Sequence, residues 1–160
     1  MELTHVDAAG AARMVDVSEK TASARTAVAT GVFRTTAEVL DLLRRDGLPK
    51  GDALATARIA GIMGAKRTPD LVPLCHPIAL SGVTLDLEPA EPGADPVVRI
   101  TATVRTTDRT GVEMEALTAV AVAGLTLHDM VKAVDPAATL DAVRVERKEG
   151  GKTGLWERND

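Results

Sequence analysis

Two carboxylates, Glu113 and Glu115, open the stretch Gly111 to Asp135, GVEMEALTAVAVAGLTLHDMVKAVD, and an Asp129/Lys132 pair stands near its end. Three apart on a helix, Asp129 and Lys132 share a face. They read as a surface ion pair worth about 0.2–0.5 kcal/mol. Alternatively, with His128, Met130 and Val131 around them, they read as a carboxylate beside apolar walls, tuned with its lysine towards general acid–base work. Glu113 and Glu115 read as helix N-terminal acids that favour the macrodipole. Two apart in extended chain they would instead point the same way, as a grip on the N–H donors of a guanine or pterin edge.

His76, between Cys75 and Pro77, reads as a hydrogen-bonded loop histidine or as a site residue. A metal is not suggested: Cys75 and His76 are adjacent, and no C-x-x-C or H-x-x-x-H spacing supplies further ligands. Basic residues recur at segment ends: Lys20, Arg25, Lys50, Lys66, Arg67, Lys148 and Lys152. Singly these are solvated side chains. With the glycines of KEGGKTG (148 to 154) they could cradle phosphate through ammonium charge and backbone N–H groups, although the Walker A pattern is absent.

The long helix that would carry the two acidic ends is marked by Leu117, Val120, Leu127 and Val131, with Met130 and Val134 beside them. Ahead of it, residues 1 to 20 lack periodicity and are expected to form an extended arm. Lys20 to Arg34 alternates and is expected to be a strand. Thr35-Thr36-Ala37-Glu38 matches a capping box before a first helix that Gly47 and Pro49 end. Asp52 caps a second helix to Ala65, whose Ala53, Ala55, Ala57, Ala60, Gly61, Gly64 and Ala65 form a small-residue surface for a closely approaching backbone. Pro69, Pro73 and Pro77 rule out a continuing helix and place Leu74, Cys75 and His76 in an ordered loop.

Alternation at Val83 to Glu88 and at Val98 to Arg105 predicts a hairpin turning through Pro89 to Pro96, and Leu140 to Arg147 predicts a last strand before the Gly-rich tail. The order β-α-α-β-β-α-β is, apart from the extra helix, the split βαβ arrangement of ferredoxin-like folds. It is an α+β class with helices on one face of an antiparallel sheet.

At 160 residues the chain is expected to be a single domain burying roughly 70% of its unfolded surface. With one Phe, one Trp and no Tyr, its core must be aliphatic. A net charge of -4 argues against non-specific nucleic-acid binding. One cysteine excludes an intramolecular disulfide and suits a reducing cytoplasm. With no signal-like N-terminus and no uninterrupted apolar run of about 18 residues, the expectation is a soluble, unexported protein with no membrane partner.

Together, MVDVSEK (14 to 20), KGDALATARIAGIMGAKRTPDLVPLCHPI (50 to 78), TGVEMEALTAVAVAGLTLHDMVKAVD (110 to 135) and the GGKTG tail closely resemble the cyclic pyranopterin monophosphate synthase family of molybdenum cofactor biosynthesis. The resemblance implies a cytoplasmic lyase that converts 3',8-cyclo-7,8-dihydroguanosine triphosphate to cyclic pyranopterin monophosphate and diphosphate. It also implies a homohexamer, a trimer of dimers, with active sites between subunits. By position, Leu74, Cys75 and His76 would line the substrate, and Glu113, Met114 and Glu115 would hold its base. Asp129 would be the catalytic acid–base, and Lys132 and Lys148 would be active-site lysines. Lys20, Lys50, Lys66, Arg67 and Lys152 are further carry-overs to substrate binding. Mg²⁺ could accompany the triphosphate, but no oxygen-ligand motif marks it.

Departures from the family pattern are His128 for the frequent Tyr, Gly64 for Ala, and Glu149 for Ser, the last adding negative charge to the tail. The rival expectation is a non-catalytic ferredoxin-like module that senses a nucleotide or reads RNA. Scarce aromatics count against RNA. Glu115 and Asp129 are 14 residues apart, about 21 Å on one helix, so a single ligand could not bridge them and each site would join two subunits' helices.

Overall fold

The structure, a computed structural model, describes residues 4–48 and 50–160. Residues 1–3 of the expected arm, and Pro49 as a stop for the first helix, lie outside them. The elements are β1 (Ser23–Arg34), α1 (Ala37–Arg44), α2 (Ala53–Lys66), α3 (Thr68–Leu71), β2 (Leu80–Pro89), β3 (Val97–Asp108), α4 (Glu113–Val131), β4 (Thr139–Glu149) and β5 (Trp156–Glu157). The sheet order is β2-β3-β1-β4-β5 with every pairing antiparallel, so β1 to β4 form the expected split βαβ sheet.

Strand alternation sends Ala27, Ala29, Gly31 and Phe33 of β1 towards the helices, where they meet Val98, Ile100, Ala102 and Val104 of β3. The core is aliphatic apart from Phe33. α4 is long and apolar enough to cross a membrane by length and composition. Here its apolar residues are instead spent on the sheet and on α2.

The small-residue surface of α2 does what its composition suggests. A Cβ on Gly61 would lie 2.8 Å from the Ala119 carbonyl and 3.3 Å from the Ala123 Cβ of α4, and one on Gly64 would lie 2.8 Å from Val122 Cγ2. No larger side chain fits between the helices without moving them apart.

Three local expectations are corrected or refined. The cap of α1 is Thr36, whose hydroxyl accepts from the Val39 amide at 3.2 Å. Thr35 is buried and donates to Asp135 Oδ2 at 2.8 Å, so the capping box does not form as spaced. The prolines do stop the helix, since α2 ends at Lys66 and Leu74 to His76 lie outside any helix, but a separate one-turn α3 follows with Pro69 in its first turn, where its missing N–H costs nothing. The tail is not only loop, because Trp156 and Glu157 return alongside Lys148 and Arg147 as β5.

The tight α2/α4 contact predicts that Gly61→Val lowers unfolding free energy by about 1–3 kcal/mol through overpacking, more than better helix propensity returns. A urea titration that finds the variant as stable as wild type would contradict that packing.

Candidate active site

α4 begins at Glu113, so the two entrance carboxylates stand in its first turn and not in extended chain. Two residues on a helix are about 200° apart around the axis, which overturns the expectation that they point together. Glu113 is half-buried and its Oε1 lies 3.1 Å from Lys148 Nζ on β4. Glu115 is only 2% exposed and faces the loop after α3. Cys75 Sγ donates to Glu115 Oε1 at 3.6 Å, and Oε2 is buried with no hydrogen-bond partner among the described residues. Burial pushes the Glu115 carboxyl above the usual glutamate range. Burial, and then the neighbouring Glu115, push the Cys75 thiol up to about 11, so it stays a protonated donor and not a thiolate nucleophile.

Beside this pair opens a cavity of about 800 Å³, whose lining includes Cys75 but not Glu115. Of the residues singled out in the sequence, Leu74, Cys75, His76, Glu113, Met114 and Lys20 line it. Unforeseen are Thr4, His5, Ala12, Val15 and Val17 of the arm, which form the opposite wall. Alternation in MVDVSEK was the available signal, but nothing in it says what the arm lies against.

A second cavity of about 490 Å³ is lined by Lys20, Arg25 and Lys152, the residues Thr21, Ser23 and Thr153, and Gly151, with no carboxylate in its wall. Lys20 borders both cavities. Arg25 donates from Nε and Nη2 to the carbonyls of Asp108 and Arg109, at 3.2 and 3.3 Å, which fixes its guanidinium plane. Gly150 and Gly151 adopt φ of 96° and 70°, and a Cβ on Gly151 would strike that guanidinium. The pocket suits an anion such as phosphate.

The other end of α4 carries Asp129, whose Oδ1 meets Lys132 at 2.8 Å and whose Oδ2 meets Lys50 at 2.7 Å. The expected apolar walls are missing, because Met130 and Val131 turn into the core while the Asp129 side chain is 54% exposed. Hydrogen bonds from Lys132 and Lys50 hold its pKa down at about 2, opposite to the tuning the sequence suggested. Asp129 is thus an ionised acceptor in this chain. Lys66 and Arg67, exposed at the end of α2, line neither cavity. Among the described residues no three His, Cys, Asp or Glu side chains gather as a metal cluster.

An α+β domain with a base-sized cavity, a buried carboxyl bonded to the Cys75 of its wall and a cation-lined pocket beside it defines a class of proteins built for a small anionic ligand. The MoaC family model matches residues 14–151, and the chain belongs to the MoaC family. The chain is similar to the cyclic pyranopterin monophosphate synthase of Streptomyces coelicolor, at 68% identity over 157 residues, 98% of this chain and 90% of that one. It is 62% identical to cyclic pyranopterin monophosphate synthase 2 of Mycobacterium tuberculosis, covering 98% of this chain and 92% of that protein. It is 58% identical to the Corynebacterium efficiens synthase, covering 97% of each.

The raised Glu115 pKa disfavours the fold where the carboxyl must ionise: stability is full below the ordinary glutamate range and falls as pH rises through the folded value. Glu115→Gln keeps the shape without the charge. Its melting temperature should match wild type near about pH 4 and exceed it by at least about 2 °C near neutrality. Curves that stay parallel across that range would mean Glu115 carries no such penalty.

Proposed function

We propose that this chain is a cyclic pyranopterin monophosphate synthase: a lyase that rearranges 3',8-cyclo-7,8-dihydroguanosine triphosphate to cyclic pyranopterin monophosphate and releases diphosphate. The observation that supports the reading is the pairing of the large cavity, lined by Cys75, which bonds the buried Glu115 behind it, with the carboxylate-free cationic pocket that shares Lys20 with it. One suits a planar base and the other an oligophosphate.

In this reading Leu74, Cys75, His76, Met114 and Glu115 hold the base. Opening the imidazole ring and closing the pterin requires proton transfers, for which a carboxylate flanked by ammonium groups serves, Asp129 accepting and Lys132 or Lys50 returning the proton. Forming the cyclic phosphate expels diphosphate, whose developing charge Lys148, Lys20, Arg25 and Lys152 stabilise electrostatically. Where Mg²⁺ accompanies the triphosphate it would share that task, and no residue of this chain is assigned to it.

Asp129 and Glu115 sit in different turns of α4, about 21 Å apart by its rise per residue. The proposed active oligomer is therefore a homohexamer, a trimer of dimers, in which the entrance of α4 from one subunit faces the exit of α4 from a neighbour. Lys66 and Arg67, away from the cavities of their own chain, are free in this arrangement to serve a neighbour's. The cytoplasm is the compartment this biosynthetic role suits.

Diphosphate release from the purified protein tests the reading. Wild type should turn the cyclic dihydro-GTP over, and Asp129→Asn and Lys132→Ala should each lose roughly 10²–10⁴-fold in kcat. Wild type no faster than these variants would instead favour a binding module.

A further inference from the structure

Among the described residues the arm is a self-closed unit with one hydrogen bond to the body. The Asp7 amide donates to Ala11 O, Gly10 N to Asp7 O and Arg13 N to His5 O at 2.8–3.0 Å, Val6 bridges Ala12, and Asp7 Oδ1 accepts from Ala9 and Ala11. Further along, Lys20 N donates to Val17 O and Ser18 bonds Asp16. All of these lie within residues 4–20. None of those residues belongs to the buried core. Among the described residues, the single hydrogen bond from this segment to the rest of the chain is His76 Nε2 with the Val15 carbonyl, at 2.6 Å. Residues 4–13 also fall outside the span matched by the family model.

A carbonyl can only accept, so His76 Nε2 carries the proton and is committed to the arm, which leaves Nδ1 alone to face anything else. We propose that His76 is a positioning residue whose bond to Val15 latches the N-terminal arm across the large cavity, so that the arm wall closes on a bound ligand and the latch and ligand binding reinforce each other. This rests on the base being held in that cavity. The arm lacks core contacts, so its opening costs little beyond this bond and the half-buried Val6, Val15 and Val17. A ligand that touches Val15 or Val17 stabilises the closed state by whatever it gains there, and a broken latch must be made good out of its binding energy.

The test is tryptic nicking at exposed Arg13 in the full-length protein, read by mass spectrometry, alongside steady-state kinetics with the cyclic dihydro-GTP. His76→Phe removes the donor, whereas His76→Gln can still reach Val15 with an N–H. Nicking of His76→Phe should be roughly five-fold faster than wild type, the factor a single net hydrogen bond commands. Its KM should rise by a similar factor, and His76→Gln should recover much of both. Saturating substrate should slow nicking of wild type and do so less for His76→Phe. Equal nicking rates in the absence of substrate would overturn the latch, and so would a fall in kcat with KM unchanged and no recovery in His76→Gln. The substrate-free comparison needs no turnover, so it judges the latch even if wild type releases no diphosphate and the proposed activity fails.

Discussion

The contact between α2 and α4 is the constraint from which the site's layout follows. Gly61 and Gly64 bring one helix against the Ala119 carbonyl and the Ala123 and Val122 side chains of the other, at distances where no larger side chain fits. The helices run antiparallel, because Lys50 before α2 reaches Asp129 near the end of α4, while Cys75 beyond α2 reaches Glu115 near its start. A one-methyl wedge at the crossing would move both ends at once. Backbone closeness therefore has a functional consequence beyond stability: it sets which loop meets which carboxyl.

The same helix holds two carboxyls in opposite electrostatic states. Glu115, buried with a thiol for its hydrogen-bond partner, is pushed towards the neutral acid. Asp129, exposed between two ammonium groups, is held ionised well below the usual carboxylate range. Environment, not residue type, separates the carboxyl pushed towards neutrality at one end from the one held ionised at the other. Lys148 beside Glu113, and the carboxylate-free pocket of Lys20, Arg25 and Lys152, add the positive field an oligophosphate needs.

Much of this was legible in the chain. Alternation located β1 to β3, because each has one face on the aliphatic core and one outside it, whereas β4 alternates in sequence but rests only Leu140 on that core; small residues flagged α2 because only a close partner repays the helix propensity they give up. Period and cap chemistry were less decisive where tertiary contacts compete. Thr35 left the capping box to bond Asp135, and Glu113 and Glu115 entered the helix a turn before the apolar pattern became visible at Ala116. The arm's place was hidden for a different reason: among the described residues its hydrogen bonds are internal except one, so no sequence period encodes the wall it forms. The lysines at Asp129 were legible one by one, but only the antiparallel crossing brings Lys50 to it.

In the proposed assembly one active site draws on the α4 entrance of one chain and the α4 exit of another, and subunit mixing distinguishes this from a site built within one chain. Lys148→Ala disables the entrance end and Asp129→Asn the exit end, and both side chains are partly exposed, so the fold should survive each change. Co-assembled in equal amounts, the two inactive variants would regain about one quarter of wild-type diphosphate release, since random pairing leaves that share of interfaces with both halves intact. Mixed oligomers no more active than either variant alone would show that each chain builds its site from its own residues, and would contradict the account.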